Sequence, residues 1–314
     1  SLPFAVVLTM VLRKSVKSLQ CIVNETMHGL CLEEVTASAY SQARYKLKHT
    51  AFIELNQKAI IDVLYQDEDF KKFWGKRILA IDGSKIRLPN TQEICDTFGT
   101  IAYSQGLDSD VQGEHPYALG SVLFDVLNRV AIDATLAPAN AYEVDLAIAH
   151  LAHTQRDDLL LMDRNYPSYR MLAMLRKTER DFAIRCSASS FSVARRMLKG
   201  DGTDSQIVTL TPCAEQMPMI RAAGLPETLV VRFVRVLLST GEFEVLVTSL
   251  LDETRYPTGD FLALYGLRWG IETFYGLIKT RLTLENFTGL GVEAVKQDFY
   301  ATVYLSGLEL ILTD

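Results

Sequence analysis

Cysteine, tryptophan, long apolar runs and surplus positive charge are all scarce in this chain, and each shortage removes a class of protein. The five cysteines (Cys21, Cys31, Cys95, Cys186 and Cys213) are odd in number, scattered and without a C-x-x-C pair. Neither a disulfide framework nor a zinc ribbon is indicated, and reduced packing residues are expected. The longest apolar run, Leu2 to Leu12, is too short to span a bilayer and lacks the small-residue cleavage site of a signal peptide. A soluble, cytoplasmic protein with no membrane partner is expected. Thirty-two Lys and Arg against 38 Asp and Glu give a net charge of −6, which excludes a uniformly basic nucleic-acid coat protein but leaves local patches open. What is present is enough apolar material for a core: 48% of the 314 residues are hydrophobic and 22% are charged, so the chain is not disordered. It opens on Ser1, and Tyr300 to Leu312 reads as a helix with no stop signal, so extension beyond one or both ends is expected.

Residues 1–72 read as a small helical region, with helices over 12–23, 34–47 and 51–64, Thr36 and Thr50 serving as N-caps. Ser38, Ser41, Gln42 and Arg44 would stand on a short helix after a turn, as on a DNA-reading helix or on an ordinary solvated one. From residue 77 the pattern becomes that of a sheet. Residues 77–82 and 158–163 are apolar runs that each end in an aspartate, which predicts two buried strands with an acid at the tip. A Gly-, Ser- and Asp-rich loop is expected over 89–114, a hairpin over 117–127 and 129–136 broken at Asn128, and helices over 141–153 and 167–178. A third strand is expected over 181–186. Residues 187–257 read as a β-rich insertion, with strands at 207–210, 229–238 and 243–251 and a turn at Thr240-Gly241. After Pro257 a long helix is predicted over 260–282. The order makes a mixed α/β sheet rather than a uniform β-α repeat.

Charge is unevenly spread. Residues 91–163 carry twelve acids against two arginines, net −10; residues 164–200 carry nine bases against two acids, net +7; residues 71–90 carry six bases against one acid, net +5. Basic segments thus flank both strand-end aspartates, as a polyphosphate substrate requires, although solvated helix faces would look the same.

Asp82 and Asp163 are the first candidate site residues. A carboxylate ending an apolar strand is costly unless it meets a cation or donors, yet either alone is more often a turn cap. The helix after Pro257 adds a third element. At about 100° per residue, Tyr265, Arg268, Glu272 and Lys279 fall on one narrow stripe, while Leu267, Ile271, Phe274, Leu277, Ile278 and Leu282 form the broad apolar face. Gly276 lies on the polar stripe, where a close backbone approach is expected. An Arg268–Glu272 i, i+4 pair accounts for two of these residues but not for the whole set. His150 and His153 share a helix face; with no third ligand in the pattern, they read as surface residues.

Tyr265-x2-Arg268-x3-Glu272-x6-Lys279, with Asp82 in Ile-Asp-Gly-Ser and Asp163 in Met-Asp-Arg-Asn-Tyr, resembles the DDE transposases of bacterial insertion sequences that bear the Tyr-Arg-Glu-Lys signature, the insertion sequence 4 type. Leu-Arg-Trp-Gly-Ile-Glu-Thr-Phe-Tyr and residues 39–47 add to the resemblance, which covers roughly residues 2–300. It implies an RNase H-like core interrupted by the β-rich insertion, giving a helical region over 1–72, core over 73–186, insertion over 187–257, and a second core part over 258–314. It implies that Asp82, Asp163 and Glu272 are catalytic and hold two Mg²⁺ or Mn²⁺ ions. It also implies that Tyr265, Arg268 and Lys279 hold DNA phosphates and that Trp269 and Arg164 are further DNA contacts. The implied partners are double-stranded DNA, as transposon ends and target, and a second copy in the DNA complex; the implied place is the bacterial nucleoid. Two departures stand out. The insertion has no tryptophan, its main aromatics being Phe191, Phe233 and Phe243, and Asn165 stands where relatives often have glycine. The alternatives are a DNA-binding relative that no longer cuts and an RNase H-like nuclease. The intact acids argue against the first, and the Tyr-Arg-Lys set and the insertion argue against the second.

Overall fold

Ile78 to Ile81 is apolar on both pleat faces, so it is stable only as an inner strand with a layer on each side. That is its place in the computed structural model, which describes residues 2–13, 15, 17–67, 69–104 and 112–313. Among the described residues nine strands form one sheet: β1 Ile78–Arg87, β2 Thr100–Ser104, β3 Gln112–Asp125, β4 Val130–Pro138, β5 Leu159–Met162, β6 Asp181–Cys186, β7 Ser205–Leu210, β8 Leu229–Leu237 and β9 Phe243–Thr248. β1, β3 and β4 are an antiparallel meander, and β5 and then β6 lie parallel on the other side of β1. The order β4-β3-β1-β5-β6 with these directions is the RNase H topology, as expected. β9 pairs antiparallel with β6, and β8 and β7 follow, so the strands of the 187–257 segment prolong the same sheet. The Thr240-Gly241 turn is formed, with Gly241 at φ +83°, a conformation glycine adopts without strain.

Pleat alternation divides the core. Leu79, Ile81, Leu160 and Met162 face the Glu143–His150 helix, the Tyr169–Lys177 helix and the N-terminal helices. Ile78, Ala80, Leu159 and Leu161 face Phe261, Leu264, Ile271, Phe274, Ile278 and Phe299 on the C-terminal helices. Burying such side chains stabilises by about 1.5–3 kcal/mol each.

Several elements differ from their sequence reading. Asp82 does not end its strand. β1 runs on to Arg87 against β3, and only the parallel partner β5 stops beside Ile81. The 89–114 stretch is not one loop. Thr91 caps a helix, Gln92–Phe98, whose Ile94 and Phe98 are buried, and β2 follows; residues 105–111 lie outside the described residues. The first helices are Phe4–Leu12 and Leu19–Gly29 rather than 12–23. Thr36 caps as expected by accepting from Ala39 N, but His49 holds the cap position assigned to Thr50 and makes no side-chain cap bond. Arg44 is buried rather than presented to a groove. It donates to Gln297 Oε1 at 2.7 Å, Thr288 Oγ1 at 2.6 Å, Asp298 Oδ1 at 2.9 Å and the Ala294 carbonyl at 3.2 Å, tying its helix to the long Val292–Thr313 helix. His150 is buried, not a surface residue; Nδ1 lies 2.7 Å from Asp133 Oδ2 and Nε2 lies 3.0 Å from Ser121 Oγ. Cys186 alone is a buried packing cysteine, whereas Cys21, Cys31 and Cys213 are exposed.

Candidate functional site at the end of the parallel strand pair

The β1–β5 register sets Ile81 beside Met162, so the next residues stand side by side, Asp82 within β1 and Asp163 just past the end of β5. Adjacent strands lie about 4.8 Å apart, and residues that far apart in sequence could be juxtaposed only by the sheet. The Asp82 carboxylate accepts from Gly83 N at 2.9 Å, and Asp163 accepts from Asn165 N at 2.7 Å in an Asx-type turn. Burial pushes the Asp82 carboxyl up to about 6, against the lowering effects of the Gly83 N–H and Arg268; the neighbouring Asp163 and Glu143 carboxylates push the same way as burial.

Glu272 arrives on a helical path that is continuous but not uniform. Phe261–Gly266 and Trp269–Gly276 are α-helical, bonds three residues apart tighten the chain over 267–271, and Leu277–Arg281 widens into a π turn. Tightening advances the helical wheel and widening retards it, so the two changes offset one another. Tyr265, Arg268, Glu272 and Lys279 therefore still face the strand ends. The Tyr265 hydroxyl is buried and donates to the Met162 carbonyl at 3.4 Å, one residue before Asp163. Arg268, only 5% exposed, stands between two of the acids: Nη2 donates to Glu272 Oε1 at 2.5 Å and Nη1 lies 3.8 Å from Asp82 Oδ2. Its Nε has no hydrogen-bond partner among the described residues. Lys279 Nζ donates to Ser84 Oγ at 2.8 Å and to the Lys85 carbonyl at 2.6 Å, both on β1, and burial pushes its ammonium below the usual lysine range. Trp269 is 61% exposed, with the Arg268 guanidinium 5.5 Å from its ring centre. Arg164 is exposed on the loop after Asp163.

The close approach assigned to Gly276 belongs to Gly270. Nothing lies within 4 Å of where a Gly276 Cβ would be, whereas a Cβ on Gly270 would stand 3.3 Å from Val126 Cβ. Three residues went unread in the sequence. Tyr275, fully in the core, donates toward the carbonyls of Gly120 at 2.8 Å and Asp82 at 3.0 Å, pinning the Glu272 helix to β1 and β3. Its position one helical turn after Glu272 was a usable signal. Glu143 and Tyr166 also stand near the aspartates, and the run Asp-Arg-Asn-Tyr held the only hint of the second.

Carboxylate oxygens are hard donors suited to Mg²⁺ or Mn²⁺, and the desolvated Asp82 and the guanidinium lodged between Asp82 and Glu272 mark a place where positive charge is favoured. The donor set therefore fits a divalent ion. Among the described residues, no three Asp, Glu, His or Cys side chains are gathered closely enough to hold one ion as they stand; Glu272 is drawn onto Arg268. No helix among the described residues is long and apolar enough to cross a membrane.

The chain is 26% identical over 261 residues to the transposase InsG for insertion sequence element IS4 of Escherichia coli (strain K12), covering 80% of this chain and 56% of that protein. It thus spans about half the length of the curated relative. Similar solved structures include a piggyBac transposase synaptic complex with hairpin DNA, at 9% identity and TM-score 0.45 over 98% of this chain and 65% of that one. Another is the Mos1 transposase paired-end complex with left transposon end, at 13% identity and TM-score 0.23 over 55% and 60%. The fold assignment rests on the strand registers instead. A family model described as the transposase DDE domain matches residues 73–305, most of the chain and all of the site, and the chain belongs to that family.

Proposed function

We propose that this chain is the catalytic part of a DNA transposase that cuts and joins the terminal inverted repeats of an insertion sequence, with Asp82, Asp163 and Glu272 as its catalytic acids. One observation carries the reading: Asp82 and Asp163 directly follow the paired residues Ile81 and Met162 of two parallel strands, and Arg268 links Asp82 to the helix-borne Glu272, on an RNase H-type sheet within a chain of the transposase DDE domain family. Asp82, Asp163 and Glu272 would hold Mg²⁺ or Mn²⁺, and the bound ions supply activation of the attacking water or 3′-hydroxyl and stabilisation of the leaving oxygen.

The chain's own residues do the rest. Arg268 and Lys279 take phosphates next to the scissile position: each is a partly or fully desolvated cation with spare donors, and such donors bind an anion more tightly than they would in water. Tyr265 and Tyr275 fix the glutamate helix to the strands that carry the aspartates, which orients the acids before substrate arrives. Exposed Trp269 and Arg164 flank this centre and contact the DNA, the indole by stacking on a base and the guanidinium at the backbone. The partner is double-stranded DNA, bound as a homodimer that pairs two ends.

The test is incubation of the protein with Mg²⁺ and DNA carrying the element's ends, read from the sequence that flanks the gene. Nicking at the terminal phosphodiester of those ends, and not of scrambled ends, is the expected result. Failure to cut in either Mg²⁺ or Mn²⁺ while specific binding persists would favour the non-cutting DNA-binding relative. Equal cutting of any duplex or of RNA–DNA hybrids would favour a general nuclease.

A further inference from the structure

Glu143 begins the helix Glu143–His150, which covers the face of the sheet opposite the Glu272 helix. A Cβ placed on Gly83 would stand 3.2 Å from Leu119 Cδ1, 3.3 Å from Glu143 Cδ and 3.5 Å from its Oε1. Gly83 lies mid-strand, paired with Ser121, and is not in the left-handed region. The backbone therefore does not call for glycine there, while the space taken by Glu143 and Leu119 does. The residue that follows Asp82 is in effect omitted so that a second carboxylate can lie against the strand. Among the described residues no lysine or arginine pairs with Glu143; Lys85 reaches it only through its field.

Tyr166 is a second, independent sign. Its side chain is fully buried, and its hydroxyl has no hydrogen-bond partner of good geometry among the described residues. The carboxylates nearest to it in effect are those of Asp82, Glu143 and Asp163, and it is close enough to Glu143 to favour the charged carboxylate. An orphaned buried hydroxyl is costly, and such a group marks a place where water or an ion completes the structure.

We propose that Glu143 is a fourth carboxylate of the divalent-cation site, entering from the face opposite Glu272, with the Tyr166 hydroxyl donating to Glu143 or to water held by the cation. The proposal rests on the reading of Asp82, Asp163 and Glu272 as cation-holding residues. Gly83 is then needed as a cradle, and the Ile-Asp-Gly-Ser run serves two acids rather than one.

The test titrates Mn²⁺ alone into the purified full chain, following free Mn²⁺ by electron paramagnetic resonance and the rise in Tm that bound ion produces. Glu143→Gln should weaken Mn²⁺ binding about 10- to 100-fold, the range seen when groups around a metal are removed, and Glu143→Asp should recover part of it. Gly83→Ala, which leaves every charge in place, should also weaken binding. Tyr166→Phe should keep or raise the Tm without Mn²⁺ and reduce the rise with it. Asp145→Asn, on the same helix but paired with Arg170 at the surface, should bind as the parent does. Should Glu143→Gln fail to fold, Glu143→Asp and Gly83→Ala carry the same comparison. Parent-like Mn²⁺ affinity in these Glu143 and Gly83 variants, with binding lost in Asp82→Asn, would remove Glu143 and leave the three-acid reading standing. No Mn²⁺ binding by the parent chain would overturn both.

Discussion

Arg44 and Arg268 are both buried among carboxylates, and they are treated differently. Arg44 fills its guanidinium with Gln297, Thr288, Asp298 and a carbonyl, and Asp298 in turn accepts from Thr288 N. Arg268 makes one short bond to Glu272, stands 3.8 Å from Asp82 and leaves Nε without a partner. A network with every donor and acceptor matched is built to hold two segments together; one left half-matched in a buried place keeps its capacity for something that arrives later. The difference separates a lock from a workplace. The same contrast holds for Arg77 and Asp158, a buried pair joined by two hydrogen bonds.

The largest expected effect is on the workplace and is chemical. Asp82→Asn or Glu272→Gln should reduce cleavage of cognate ends to background while specific DNA binding and Tm stay near the parent values, as read by gel assay and calorimetry. Undiminished cleavage by either would end the assignment. Next comes the lock. Asp298→Ala strands Arg44 in the core and should cost about 3–5 kcal/mol, measurable as a lower denaturation midpoint at unchanged slope; a cost under about 1 kcal/mol would show that the two arginines are not so different. The Arg268→Ala, Lys279→Ala pair should lower end cleavage on the order of 100-fold through a misplaced phosphate, with Mn²⁺ affinity little changed. Full cleavage by the double variant would make the stripe a charge pattern only. Smallest is Tyr275→Phe, which loses a bond to two strand carbonyls and should cost about 1 kcal/mol, seen as a modest drop in Tm.

What could be read in the sequence was what repeats at short range. The acid ending each apolar run and the stripe from Tyr265 to Lys279 were visible because a strand has a two-residue period and a helix a 3.6-residue one. A mixed α/β sheet and the turn at Thr240-Gly241 followed from such local patterns, and the RNase H-like core came from the resemblance alone. What could not be read depends on who stands across the gap. Gly276 and Gly270 look alike in sequence, and only Val126 distinguishes them. Arg44 looked like a groove-reading residue because its acceptors lie about 250 positions away. Glu143 gave no signal, since its neighbours Gly83 and Tyr166 are brought to it by the sheet. Asp82 was placed at a strand end because its polarity interrupts an apolar run, whereas the strand continues once β3 supplies the missing backbone bonds.

The wide spacing of the site's parts has a consequence in time. During synthesis, residues 82 and 163 leave the ribosome well before residue 272, and the helix that carries residue 272 packs with Val292–Thr313, the element Arg44 must reach back to fasten. Contacts so distant along the chain form late. A nascent chain interrupted before residue 298 lacks Asp298 and hence this fastening, so Arg44 and the Val292–Thr313 helix are joined only after both flanks of the sheet have been made.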